Sequence, residues 1–154
     1  MAVHVNVSGT VRVAAPLTEA FRFFTPEGER LYVPGWAPEY LHPEDGTLAE
    51  GLTFRTKHGG EDTIWLVSKY EPESGAIDYL RITPDSRIGI VMVRLASSAG
   101  EGEAPGLPLT DVTVTYCLTS LSTAGDRKLA AFEAAFPDQM ASWERSIAAV
   151  LKGS

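Results

Sequence analysis

The strongest constraint on the fold is a helical repeat at the C-terminal end of the chain. Apolar residues recur there at steps of three and four positions: Leu129, Phe132, Phe136, Met140, Trp143, Ile147 and then Val150 or Leu151. Charged residues occupy other positions of the helical wheel, so the spacing predicts one long amphipathic helix over residues 126–152. Such a helix is stable only when its apolar side packs against another layer of structure.

A few residues define the expected course of this helix. Asp126 is a suitable N-cap, and Gly153 suits the C′ position after the last turn. Pro137 lies inside the repeat and removes the backbone donor to the carbonyl of Glu133. We therefore expect a kink or a break near Phe136.

The layer that covers the helix is predicted from strand patterns earlier in the chain. Valines alternate with polar residues over residues 3–13, which predicts a half-buried strand with a bulge or bend at Gly9. A short helix is expected over residues 17–24, and a loop rich in glycine and proline over residues 96–109. Further strands are predicted over residues 52–57, 63–70, 76–83, 87–95 and 110–121. The fold class is therefore α+β.

Residues 23–41 depart from these regular patterns. Three prolines and two glycines separate five aromatic residues in the segment FFTPEGERLYVPGWAPEYL. The prolines allow only short helical turns, and the aromatic rings are too many to leave in water. We expect this segment, called here the aromatic segment, to form a stiff wall against an apolar interior.

Length and charge limit the classes of function. The 154 residues fit a single domain, residues 1–154. The formal net charge is −7 and no basic stripe is present, so nucleic acids and membrane surfaces are not expected partners. The single cysteine, Cys117, cannot form an intramolecular disulfide, and no signal peptide or membrane span is apparent. We expect a cytoplasmic protein.

Several short motifs carry a family resemblance. They are residues 11–16 (VRVAAP), 19–21 (EAF), 25–27 (TPE), Trp36, 51–54 (GLTF), 67–72 (VSKYEP) and Trp143. With this order of elements, the chain resembles the START-like or SRPBCC superfamily. The similarity is greatest to the branch that groups polyketide cyclase/dehydrase-like proteins with relatives of the heat-shock ATPase activator.

The resemblance implies a helix-grip fold. In this fold a curved antiparallel sheet of about six to seven strands wraps around a long C-terminal helix, with short helices after the first strand. A cavity lies between the sheet and the helix. The superfamily includes lipid carriers, hormone receptors, aromatase/cyclases and co-chaperone modules, so the resemblance predicts the fold more sharply than the chemistry.

Our first hypothesis is that the cavity binds a hydrophobic or aromatic small molecule. An enzyme built this way would be of the cyclase or dehydratase type, a lyase or an isomerase. The alternative hypothesis is a co-chaperone-like protein-interaction module without small-molecule chemistry. The expected ligand-binding residues are Trp36, Tyr40, Phe54, Trp65, Tyr79, Tyr116, Phe136, Met140 and Trp143.

Three residues are candidates for proton transfer: Tyr116, Arg81 and His42. Tyr116 shares the apolar face of the last strand, where it is either a core tyrosine or a donor to a ligand. Arg81 is on the same strand face as Tyr79, and that face points either to solvent or into the cavity, where Arg81 could hold a carboxylate or an enolate. His42 follows the aromatic segment and lies either on the surface or at the cavity mouth.

Other chemistry has little support in the sequence. No pair of histidines has the spacing of metal ligands, and no motif for a nucleotide or another cofactor is present, so none is expected. Cys117 shares the parity of Thr113 and Thr115 and is expected to be inert. Residues 64–67 and 88–93 are apolar on both parities, which indicates either a covered outer face, as in a homodimer, or a bulge that switches the parity.

Overall fold

Seven antiparallel strands form one sheet in the order β1-β7-β6-β5-β4-β3-β2. The computed structural model describes residues 3–98 and 107–153. The strands are β1 (His4–Val13), β2 (Glu39–His42), β3 (Thr53–His58), β4 (Glu61–Glu71), β5 (Ala76–Thr83), β6 (Arg87–Ser97) and β7 (Thr110–Ser120). The helices are α1 (Leu17–Phe21), the 3-10 helices Arg22–Phe24 and Gly28–Leu31, and α2 (Thr123–Lys152). This architecture confirms the predicted helix-grip fold.

Helix α2 lies mainly against β1, at one side of the curved sheet. The close approach depends on Gly9, because a Cβ atom at this position would lie 2.8 Å from Cγ of Met140 and 3.1 Å from Cε2 of Phe136. The predicted bulge at Gly9 is wrong, since β1 and β7 pair in unbroken register through this residue. Gly9 instead provides space for the helix.

The ends of α2 differ from the prediction. Ser122 is the N-cap in place of Asp126, and its hydroxyl accepts a hydrogen bond of 3.0 Å from the backbone nitrogen of Gly125. The helix starts earlier because Ser122 also donates to the carbonyl of Asp85 in the β5–β6 turn, which holds the cap in place. Gly153 is the C-cap itself, with φ of −83°, and so is not a left-handed C′ residue.

Pro137 does not break α2, which runs without interruption from Thr123 to Lys152. One missing backbone donor costs about 3 kcal/mol or more in an isolated helix. Here buried side chains on both sides of the proline, Leu129 before it and Ile147 after it, hold both halves against the sheet. Tertiary packing therefore outweighs the local penalty.

The aromatic segment contains one strand that the sequence pattern did not predict. β2 pairs with β3 through Glu39 and Tyr40 and forms the edge of the sheet. The strand was missed because it has only four residues, between Pro38 and Pro43. The predicted loop over residues 96–109 begins later than expected, since β6 continues to Ser97, and its central part lies outside the described residues.

The two faces of the sheet have different environments. The sheet has a bulge between Val67 and Lys69, but β4, β5 and β6 pair in regular register before it. The outer face of this region is apolar without a change of parity, so the bulge does not explain the pattern of residues 64–67 and 88–93.

None of the helices in the described part of the chain is long and apolar enough to cross a membrane.

Candidate functional site

Hydrogen bonds from ring side chains to backbone carbonyls hold the aromatic segment together and tie it to the sheet. The hydroxyl of Tyr32 donates to the carbonyl of Phe23 at 2.7 Å, and the hydroxyl of Tyr79 on β5 donates to the carbonyl of Phe24 at 2.7 Å. The indole nitrogen of Trp36 donates to the carbonyl of Pro26 at 2.8 Å. The bonds of Tyr32 and Trp36 lie within the segment, and the bond of Tyr79 ties the segment to β5.

The 3-10 helix Gly28–Leu31 directs the side chain of Glu29 toward the interior. A Cβ atom at Gly28 would lie only 1.6 Å from the carbonyl oxygen of Arg22, so the chain can pack this closely only with glycine here. Thr25 ties the same turn together, because its hydroxyl accepts from the Gly28 nitrogen at 3.1 Å and donates to the Arg22 carbonyl at 2.8 Å. The position of Glu29 is therefore rigidly defined.

A cavity with two chambers lies between the aromatic segment, the sheet and α2. The inner chamber measures about 30 Å³, enough for one or two water molecules. The outer chamber measures about 480 Å³ and opens to solvent, within the range of about 300–1,000 Å³ for small-molecule sites. Five residues line both chambers: Glu29, Trp36, Trp65, Tyr116 and Trp143.

Aromatic rings fill most of the interior. The rings of Phe54 and Trp65 are stacked at 5.9 Å, and the Trp36 ring meets Trp65 edge-on at 5.6 Å. Tyr79 contacts both Phe54 and Trp65. The remaining space for a ligand consequently lies toward the cavity mouth and faces aromatic surface.

Glu29 has an unusual environment for a carboxyl group. Its carboxyl group has no hydrogen bond or ion pair within the described residues, and its remaining accessible surface faces the cavity. Desolvation by burial raises its pKa to about 8. Glu29 is therefore mainly a neutral carboxylic acid at pH 7.

Arg81 also points into the cavity, so the solvent-facing alternative is wrong. Its Nη2 donates to the hydroxyl of Thr83 at 2.9 Å, and its guanidinium carbon lies 4.8 Å from the centre of the Trp65 ring. The Nε atom is fully buried and has no partner in the described part of the chain. Burial lowers the pKa of Arg81 to about 10, and the group remains a cation at neutral pH.

Tyr116 is close enough to both groups for each of them to change the pKa of its phenol. Burial raises the pKa of its phenol, Glu29 adds to the increase, and Arg81 and the Gln139 side chain reduce it. Glu29 and Arg81 each act on Tyr116, and all three residues line the outer chamber. The arrangement places an acid, a phenol and a cation along one aromatic cavity.

The other predicted site residues divide between the cavity and its surroundings. Trp36, Phe54, Trp65, Tyr79 and Trp143 line one or both chambers. Four predicted residues do not: Tyr40, Phe136, Met140 and His42.

Each exception has a physical reason. The ring of Tyr40 contacts the ring of Phe54, and its hydroxyl donates a hydrogen bond to the carboxylate of Glu27. Phe136 and Met140 are buried in the contact of α2 with β1 described above. His42 is exposed on the edge strand β2 and lines neither chamber.

Sequence reasoning missed four polar residues of the cavity: Glu29, His58, Arg87 and Gln139. Glu29 gave no periodic signal because it lies in a short 3-10 turn, although an acidic residue inside an aromatic, proline-rich segment could have drawn attention to it. His58 is exposed, its Nε2 lies 3.0 Å from the carbonyl oxygen of Pro34, and its ring contacts Trp36 at the mouth. Among the described residues, no group of three His, Cys, Asp or Glu side chains could hold a metal ion.

Comparison by sequence finds no matching protein family and no matching curated protein. Solved structures, in contrast, share the fold. An uncharacterized protein from Rhizobium leguminosarum has a TM-score of 0.65 at 13% identity, over 96% of each chain. The Zhui aromatase/cyclase from Streptomyces sp. R1128 has a TM-score of 0.65 at 15% identity, over 94% of this chain and 92% of that one.

Norcoclaurine synthase from Thalictrum flavum, solved in complex with dopamine and hydroxybenzaldehyde, has a TM-score of 0.64 at 10% identity. The match covers 99% of this chain and 88% of that one. Identities this low establish a shared fold and leave the chemistry to the site itself. The chain therefore shares the helix-grip fold with these structures, as its sequence motifs predicted.

Proposed function

We propose that this protein binds a small aromatic molecule in the cavity and transfers a proton on it through Glu29. The observation that carries the proposal is the carboxyl group of Glu29, which is held without a protein partner among aromatic rings. A desolvated carboxyl with a pKa of about 8 is poised to act as acid or base near neutral pH. Such a group costs stability, and fold requirements alone do not account for it.

Dehydration is the reaction type that suits this arrangement best. The carboxylate form of Glu29 can remove the proton from the carbon between a carbonyl and the carbon that bears the hydroxyl, which gives an enolate and a protonated Glu29 carboxyl. This carboxyl then protonates the hydroxyl, which departs as water as the double bond forms. Glu29 returns to the carboxylate, so no net proton is consumed. The cation of Arg81 can stabilise an enolate oxygen, and the phenol of Tyr116 can hydrogen-bond to the same ligand.

Two structural neighbours support the proposed ligand class by analogy of fold. One is an aromatase/cyclase, and the other was solved with two aromatic compounds. The analogy does not identify residues, since identities are 15% and 10%. The residue roles proposed here depend on Glu29, Arg81 and Tyr116 in this chain.

Proton transfer can be tested with an enolisable aryl ketone. 2-Tetralone is incubated with the protein in deuterated buffer, and deuterium uptake at its α-carbon is followed by NMR. We expect catalysed exchange that falls about 100-fold in the Glu29→Gln variant, whereas binding of the ketone is retained. Glu50→Gln, which changes an exposed carboxylate, is the matched control. Equal exchange rates in the wild type and Glu29→Gln would contradict the proposal.

One observation favours the second function, a protein-interaction module. Leu66, Leu80 and Ile90 are aligned across β4, β5 and β6 on the outer face, and each is 36–42% exposed. This face could join two copies of the chain, or bind another protein. Trp65 and Val91, which belong to the apolar runs of residues 64–67 and 88–93, face the interior. A Leu80→Asp variant that leaves the sedimentation coefficient unchanged would argue against a homodimer through this face.

A further inference from the structure

Arg81 indicates which charge the ligand carries. A buried charge is normally paired or fully hydrogen-bonded, because an unpaired one loses the free energy of hydration. Within the described residues, Arg81 has one hydrogen bond, to Thr83, and no carboxylate partner. Thr83 itself is engaged with Thr63, since their hydroxyl oxygens lie 2.7 Å apart. The protein therefore satisfies this guanidinium only in part.

The other charged groups of the cavity do not neutralise Arg81. Arg87, a second cation of the outer chamber, makes a two-point ion pair with Glu61, with N–O distances of 2.8 and 3.0 Å. Glu61 acts to raise the pKa of Arg81, but its carboxylate is already bound to Arg87. Glu29 does not contribute to the pKa of Arg81, and burial keeps its carboxyl mainly neutral at pH 7. The charge that remains in the cavity is positive.

The surroundings of Arg81 favour an anion that is attached to a ring. The guanidinium lies over Trp65, whose ring also lines both chambers, so an aromatic ligand can contact the same aromatic surface. The residue directly opposite Arg81 on β6 is Gly89, which places no side chain beside the guanidinium. A planar carboxylate or enolate matches the planar geometry of a guanidinium.

We infer that the ligand is an aromatic anion, with its carboxylate or enolate paired to Arg81 in the outer chamber and its ring against Trp65. This inference rests on the proposed function, because it names the chemical class of ligand for the same cavity. The charge of Arg81, which is costly when unpaired, then becomes the main source of selectivity for the ligand.

Two fluorescent probes with the same skeleton test the inference. 8-Anilinonaphthalene-1-sulfonate carries an anionic group, and N-phenyl-1-naphthylamine lacks it. We expect the Arg81→Met variant to bind the sulfonate roughly 10- to 100-fold more weakly than the wild type, and to bind the neutral probe within about twofold of it. Arg81→Lys keeps the charge and should retain part of the affinity. Arg55→Gln removes an exposed cation from the outer face of β3 and should change neither affinity.

Competition on the unaltered protein provides a second test, which does not depend on how a variant folds. Naphthalene-1-carboxylate should displace the sulfonate probe at a concentration at least about tenfold lower than the uncharged 1-naphthamide does. If the neutral probe and the amide bind as well as the anions, the inference falls and the proposed function stands. If neither probe binds the wild type, both fall. If Arg81→Met weakens the binding of both probes equally, Arg81 contributes to packing and not to recognition of the anion, and the inference is overturned.

Discussion

Replacing Glu29 by glutamine should stabilise the fold at neutral and alkaline pH, because the glutamine side chain has nearly the same shape and cannot ionise. In the folded protein the carboxyl has a pKa of about 8, whereas an unfolded chain has a value of about 4.3. One pKa unit corresponds to about 1.4 kcal/mol, so the difference sets an upper bound of about 5 kcal/mol above pH 8. The cavity mouth gives water some access to the carboxyl, and we therefore expect about 2 to 3 kcal/mol.

The sign of the effect follows from the raised pKa. Below about pH 4 the carboxyl is protonated in both states, and the wild type and Glu29→Gln should be equally stable. As the pH rises from about 4 to about 8, the unfolded state loses this proton and the folded state keeps it, so the wild type loses stability relative to the variant. The tyrosines that face Glu29, Tyr32, Tyr79 and Tyr116, all have raised pKa values and stay neutral in this range.

Urea unfolding of both proteins at pH 5, 7 and 9 measures this difference. We expect the variant to be more stable by about 1 kcal/mol or less at pH 5, with the gap increasing toward pH 9. Glu50→Gln, at an exposed site, should show a difference close to zero at each pH. A gap that does not change with pH, or a variant that is less stable at pH 9, would refute the desolvation of Glu29.

Three further predictions concern other parts of the molecule. Tyr116→Phe should slow α-proton exchange of 2-tetralone at least about tenfold and leave its affinity unchanged, whereas the exposed His42→Ala should alter neither, as NMR exchange and titration can check. Gly9→Ala should lower the free energy of unfolding by about 1–3 kcal/mol, because its methyl group meets α2 side chains at 2.8 and 3.1 Å; a neutral result in urea unfolding would mean that α2 can shift. Ser122→Ala should lower the free energy of unfolding by about 1 kcal/mol, and Asp126→Ala should lower it by less. A larger loss for Asp126→Ala would indicate that Asp126 is the N-cap.

Most of the fold could be read from periodicity. Apolar and polar residues alternate along strands that have one buried face, and apolar residues recur every three or four positions along α2. Local patterns therefore predict where most elements lie. The errors came where tertiary contacts outweighed local preference. Pro137 stays inside a helix that is anchored on both sides, and Ser122 caps the helix because the β5–β6 turn holds it in place.

Predicting the site was harder, because a role depends on which residues surround a side chain. Tyr116 was identified as a pocket candidate from strand parity, whereas parity left the face of Tyr79 open, and both line the cavity. Phe136 and Met140 were candidates too, but they lie in the helix contact. Ligand binding by these residues stays a prediction. The cytoplasmic location and the homodimer likewise stay predictions.

The amino-acid order alone was enough to predict the long helix and every strand except β2, since these elements depend on side chains close together in the chain. The state of Glu29 and Arg81 could emerge only when β4, β5, β7 and α2 were assembled around them. A charged group loses its hydration because residues remote in sequence pack around it. Local sequence patterns therefore do not predict how much water such a group retains.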